Sequence, residues 1–82
     1  MKKWCVYLLL CNDGTYYCGA TNDLPKRVKK HNDGKGAKYT RSRLPIEVLC
    51  SREVLTKSEA LKLEIRVKRL PRSSKIAFLS DG

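Results

Sequence analysis

The sequence predicts an α+β domain in which helices pack on a small sheet, with elements in the order ββαβαα. Three observations carry this. Two β-prone stretches flank a short turn near the start. A third apolar stretch follows at mid-chain. Two later segments show helical periodicity with their own start and stop signals. At 82 residues there is room for one domain, spanning 1–82, which buries only about 60% of its unfolded surface.

Residues Trp4 to Cys11 are apolar on both faces, as expected of a strand covered on both sides. Asn12-Asp13-Gly14 is a turn and Thr15 to Ala20 is β-prone, so the chain opens on a hairpin. Loop length decides which side chains share a face. A two-residue loop at Asp13-Gly14 sends Tyr7 and Tyr17 to opposite faces. A three-residue loop, with Gly14 left-handed in a bulge, pairs Leu9 with Tyr17 and Tyr7 with Gly19. Both tyrosines then share a face, and this is the arrangement expected.

Thr21 or Asn22 caps a helix from about Asp23 to His31, with Pro25 tolerated in its first turn. Asn32 to Arg43 reads as a basic loop containing Gly34 and Gly36. Ile46 to Val54 is the third strand. Thr56 and Glu59 form a capping box that opens a helix ending near Leu70, where Pro71 stops it. Ser73 to Leu79 is a shorter helix. Internal repeats and linkers are not evident, so one domain is expected.

Eighteen Lys and Arg face eight acids, a net charge of +10. So basic a chain points to a polyanion partner, because neutralising phosphates releases their counterions. The plainer alternative is charge that maintains solubility. Cys5, Cys11, Cys18 and Cys50 show no CxxC spacing and His31 is the only histidine, so free thiols in a reducing compartment are expected rather than a zinc site. The apolar run after Lys2 and Lys3 is too short to span a bilayer and no small-residue cleavage site follows it. No membrane association and a cytoplasmic location are expected.

Some residues sit where packing alone does not put them. On the first helix Arg27 and His31 lie one turn apart and border the stripe of Leu24 and Val28. A satisfied core-edge histidine and a snorkelling arginine are the plain readings. On the second long helix Glu64 falls about 40° from Ala60, inside the apolar arc. Lys68, four residues on, is a possible partner worth only about 0.3–0.5 kcal/mol. Desolvating a carboxylate costs several kcal/mol, so a metal or a substrate-facing pocket explains the placement better. Such residues suit phosphodiester hydrolysis: an arginine for the phosphate, a carboxylate for one Mg²⁺, and a phenol or imidazole near the attacking water. An unperturbed tyrosine is a poor base at neutral pH, so it must be made more acidic or act mainly by orienting the water.

Cys5-Val6-Tyr7, Tyr17-Cys18-Gly19, Arg27, His31 and Glu64 recur in the order found in the GIY-YIG nuclease superfamily. Together with Asn32 to Thr40, the chain resembles that superfamily's small stand-alone bacterial branch, the UPF0213-like proteins, over nearly its whole length. The resemblance implies a three-stranded antiparallel sheet flanked by helices, carrying a site with one Mg²⁺ or Mn²⁺. It implies that Tyr7 is the base or water-orienting phenol and that Tyr17 contacts water or phosphate. Arg27 then binds the scissile phosphate, His31 assists proton transfer or orientation, and Glu64 holds the metal. Gly19 is expected to serve a close approach between the strand and the following helix. Cys5, Val6 and Cys18 depart from the family letters as packing substitutions. The asparagine that some members place after the glutamate has no counterpart following Glu64.

The resulting expectation is an endonuclease acting on DNA, with branched, nicked or single-stranded forms met in repair as candidate substrates and a partner protein for targeting. RNA stays open as the polyanion. The competing expectation is a non-catalytic nucleic-acid-binding module on the same fold. The loop residues Lys35, Lys38, Arg41 and Arg43 serve both, with Tyr39 available for base stacking.

Overall fold

The structure, a computed structural model, describes residues 3–80. The strands are β1 (Trp4–Leu10), β2 (Tyr16–Thr21) and β3 (Glu47–Val54). The helices are α1 (Leu24–Asn32), α2 (Lys38–Arg41), α3 (Lys57–Arg69) and α4 (Arg72–Ser80). The strands form one antiparallel sheet in the order β2-β1-β3, so the most apolar strand is the central one.

The hairpin register follows from its turn. Cys11 N–H donates to Thr15 O at 2.8 Å and Gly14 N–H to Cys11 O at 2.9 Å, which closes a three-residue loop. Gly14 has φ +84°, a region that costs a side chain energy but not glycine. Leu9 consequently faces Tyr17 and Tyr7 faces Gly19, so the two tyrosines share a face. On β3 the ladder steps from Leu8–Cys50 to Leu9–Val48, and the extra residue, Leu49, packs into the core.

Each face of the sheet has its own core. Val6, Leu8 and Cys18 pack with Ala60 and Val67 of α3 and Leu79 of α4. Tyr7, Leu9 and Tyr17 pack with Leu24 and Val28 of α1 and with Leu44 and Ile46. Helix α3 starts as a capped helix should: Thr56 Oγ accepts from Glu59 N–H at 3.1 Å, while Glu59 Oε2 accepts from Leu55 N–H at 3.3 Å. Two cations close the C-terminal layer. Lys75 Nζ donates to Val67 O near the end of α3 at 2.6 Å. Arg52 of β3 donates to Leu79 O at 3.1 Å and to Phe78 O, tying the end of α4 to the sheet.

The structure corrects the expected elements at two places. Asp23, not Thr21 or Asn22, caps α1, accepting from Lys26 N–H at 3.3 Å. Thr21 Oγ instead accepts from Asp23 N–H at 3.1 Å and so holds the capping residue in place. The expected loop from Asn32 to Arg43 also contains the single-turn α2. Its chain is rich in Lys, Gly and Arg and too short for a periodic signal, and α2 is fixed by the contacts of Thr40 with His31 and of the adjoining Arg43 with Asp13.

Candidate active site

Tyr7 points from the central strand toward α1, and its ring lies across Gly19 on the neighbouring strand. A Cβ at Gly19 would come 2.6 Å from Tyr7 Cζ and overlap the phenolic oxygen. The need for glycine is therefore steric and belongs to Tyr7. This corrects the expectation that Gly19 serves a strand–helix approach.

The phenol is 1% exposed and so is the His31 ring. Tyr7 Oη stands 3.3 Å from His31 Nε2, and His31 Nδ1 stands 2.9 Å from Thr40 Oγ. The Thr40 hydroxyl donates to Ala37 O at 2.9 Å, so its oxygen accepts from His31. That order puts the imidazole proton on Nδ1 and leaves Nε2 as the acceptor for Tyr7. A chain of donors thus runs from Tyr7 through His31 and Thr40 to a backbone carbonyl, and among the described residues no buried side-chain nitrogen or oxygen lacks a partner.

Electrostatics favour the neutral form of both rings. Burial, reinforced by Arg27 and Lys30, lowers the His31 pKa below its ordinary value. Burial raises the Tyr7 pKa well above the ordinary phenol range; Tyr17 and Glu64 add to the rise and Arg27 opposes it. Arg27 and Glu64 therefore both lie within electrostatic reach of one phenol, Arg27 from α1 and Glu64 from α3 on the other side of the sheet. On that side burial, followed by Glu64, pushes the Cys18 thiol up to about 11.

Tyr17 occupies a different position. Half-buried, it stands edge-on to His31 at 5.5 Å between ring centroids and stacks on Tyr39 at 6.0 Å. It also lines a cavity of about 250 Å³ with Tyr16, Cys18, Tyr39, Lys68 and Lys75. The cavity runs along β2, which is an edge strand, so side chains from both faces of the sheet reach it. Both tyrosines meet His31, but only Tyr17 also borders the cavity.

Glu64 is half-buried, with 19% of its side chain exposed, and its Oε2 pairs with Lys68 Nζ at 2.6 Å. The i,i+4 pair with Lys68, the plainer of the two readings of Glu64's placement, therefore forms. Among the described residues no group of three or more His, Cys, Asp or Glu side chains is placed to hold a metal. Glu64 is the carboxylate next to the tyrosines. A single carboxylate suits a hard ion that keeps most of its waters and takes a phosphate oxygen.

The basic loop divides in two. Lys35, Lys38 and Arg41 are exposed. Arg43 is engaged within the fold: its Nε pairs with Asp13 at 2.9 Å, it donates to Tyr39 O at 2.7 Å, and its guanidinium lies 3.9 Å over the Tyr39 ring. Tyr39, 38% exposed, is consequently sandwiched between Arg43 and Tyr17. Arg27 lines a separate surface concavity with Thr21, Asn22, Asp23, Lys26 and Lys30.

Sequence reasoning passed over Thr40 and Gly36 as loop residues. A Cβ at Gly36 would come 2.8 Å from His31 Cγ, so this glycine lets the loop close over the imidazole. The sequence signal for both was their nearness to the only histidine.

The comparisons with known proteins bear on the family and the fold. A UPF0213 protein of Bacillus velezensis is 49% identical over 75 residues, covering 92% of this chain and 76% of that protein. A UPF0213 protein of Staphylococcus epidermidis is 46% identical over 82 residues, the full length of both. Among solved structures, the solution NMR structure of the E. faecalis protein EF2693 superposes with a TM-score of 0.65 at 39% identity, covering 95% of this chain and 83% of that one. That of the UPF0213 protein BH0048 from Bacillus halodurans gives 0.57 at 44% identity, covering 95% and 82%. The family pattern described as the GIY-YIG catalytic domain matches residues 3–77, and the chain belongs to that nuclease family.

Proposed function

We propose that the protein is an endonuclease that hydrolyses phosphodiester bonds in DNA with one divalent cation, Mg²⁺ or Mn²⁺, held at Glu64. The observation that carries the reading is the meeting of Tyr7 and Tyr17 with His31 on one face of the sheet, with Arg27 of α1 and, across the sheet, Glu64 of α3 both within electrostatic reach of Tyr7.

The two phenols divide the work. Tyr7 is closed off from solvent and donates to His31, so its task is to fix the imidazole and, through the edge contact, the Tyr17 ring. Tyr17 faces the cavity and is the phenol that orients the attacking water. This allocation moves the water-handling role expected for Tyr7 to its neighbour. Arg27 offers a guanidinium fork to the phosphate and offsets charge that develops as the bond breaks. Glu64 would hold the divalent cation, which when bound would supply a lowered water pKa and positive charge to offset that of the leaving group. Lys35, Lys38 and Arg41 hold the flanking backbone, which places branched, nicked or unpaired DNA met in repair among the substrates to test. Among the described residues no helix is long and apolar enough to cross a membrane.

The Glu64–Lys68 pair also favours a second reading, a nucleic-acid-binding module on the same fold, because there the carboxylate serves only its lysine. Cleavage of a panel of DNA structures in Mg²⁺ or Mn²⁺ separates the two. Wild type is expected to cut, and Glu64→Ala and Arg27→Ala to lose activity by about 10²-fold or more. Glu64→Ala is also expected to bind DNA at least as tightly at low salt, since it removes a negative charge. Wild type that binds without cutting, or Glu64→Ala that cuts equally well, rejects the enzyme reading.

A further inference from the structure

Lys68 is the cation closest to the carboxylate on which the nuclease reading depends, and it does more than neutralise it. Its Nζ sits 2.6 Å from Glu64 Oε2, on the same carboxylate that would hold a cation at Glu64. The two side chains are unequal. Glu64 is 19% exposed, whereas Lys68 is 53% exposed on a longer, flexible stem. Lys68 also lines the cavity that Tyr17 and Tyr39 open onto. The other lysine there, Lys75, is held by Val67 O at 2.6 Å. Lys68 is thus the cavity lysine that can move, and its path from Glu64 leads into the space beside Tyr17.

We propose that Lys68 is an exchangeable occupant of Glu64. It competes with the divalent cation for the carboxylate and, once displaced, becomes a phosphate ligand in the cavity along β2. This rests on Glu64 being the metal ligand. Two consequences follow from charge alone. A divalent cation arriving at Glu64 repels the ammonium group a few ångströms away. A phosphate entering the cavity attracts the same group and so vacates the carboxylate. Metal and nucleic acid therefore strengthen each other's binding through one side chain, and by linkage the coupling is reciprocal. The arrangement disfavours metal uptake until a polyanion is present.

The test measures Mn²⁺ binding to the protein without nucleic acid, by electron paramagnetic resonance of the free ion, in wild type, Lys68→Met, Lys68→Arg and Glu64→Gln. Methionine keeps an unbranched stem one atom shorter and a similar helix propensity, and removes the charge. Lys68→Met is expected to bind Mn²⁺ tighter than wild type by on the order of ten-fold, Lys68→Arg to resemble wild type, and Glu64→Gln to lose the site. Oligonucleotide titrations in Ca²⁺ complete the test: Lys68→Met is expected to lower the salt slope by about one phosphate contact. Equal Mn²⁺ affinity in wild type and Lys68→Met, with loss in Glu64→Gln, overturns the inference and leaves the nuclease reading standing. Mn²⁺ binding indifferent to Glu64 overturns both. Tighter Mn²⁺ binding with an unchanged salt slope overturns the transfer of Lys68 to phosphate.

Discussion

Thr40→Val exchanges a hydroxyl for a methyl at a position with 0% exposure, with almost no change of shape. It removes two hydrogen bonds, the one Thr40 accepts from His31 at 2.9 Å and the one it donates to Ala37 O at 2.9 Å. The buried Nδ1–H then has no acceptor. A buried donor left alone costs about 1–3 kcal/mol, so a loss of roughly 2 kcal/mol is expected. In a domain this small that corresponds to a fall in Tm of about 8–16 °C. The imidazole has one escape, which is to move its proton to Nε2. That places two donors between His31 and Tyr7 and forces the Tyr7 hydroxyl to turn away. Urea denaturation followed by tryptophan fluorescence measures the stability, and long-range ¹H–¹⁵N spectra of the imidazole report the tautomer. The reasoning is refuted if Thr40→Val stays within about 0.5 kcal/mol of wild type and keeps the Nδ1–H form.

Other perturbations test separate parts of the account. Gly19→Ala sets a methyl 2.6 Å from Tyr7 Cζ in a packed layer, and overpacking of this kind costs about 1–3 kcal/mol. Its chemical denaturation midpoint should drop and the Tyr7 ring resonances should shift. Arg52→Met removes the donors to Leu79 O and Phe78 O, so amide exchange should rise across α4 while β1 and β2 stay protected. Acid should weaken the fold through His31. Its folded pKa lies below the ordinary 6.5, so the unfolded chain binds more protons in between. That contribution is present above about pH 6.5 and is lost as pH falls through the lowered value. His31→Gln should flatten that part of a stability–pH curve.

The hairpin was legible because its register depends on local chemistry. A three-residue loop with a left-handed Gly14 leaves one way to pair the strands, and it brings Tyr7 and Tyr17 to the same face. Helical periodicity likewise placed Glu64 inside the apolar arc, and the spacing to Lys68 gave its partner. What stayed hidden depends on contacts between elements. Thr40 is nine residues from His31 and meets it only because α2 folds back over α1. The steric demand on Gly19 comes from a ring on the adjacent strand. Periodicity also says nothing about depth, so the near-equivalence of the two tyrosines in the sequence concealed that Tyr7 is sealed and Tyr17 is not. The pairing of Arg43 with Asp13 escaped because it joins residues thirty positions apart.

The division of labour between the phenols is the central claim, and single-turnover cleavage of one DNA substrate by Tyr17→Phe and Tyr7→Phe tests it directly, with unfolding free energies measured on the same samples. Tyr17→Phe should lose on the order of 10²–10⁴ in rate while its stability stays close to wild type. Tyr7→Phe should lose about 1–3 kcal/mol of stability, because His31 Nε2 is left without its donor, and should lose less rate than Tyr17→Phe. The opposite order, a stable Tyr7→Phe that has lost cleavage beside an active Tyr17→Phe, contradicts the account.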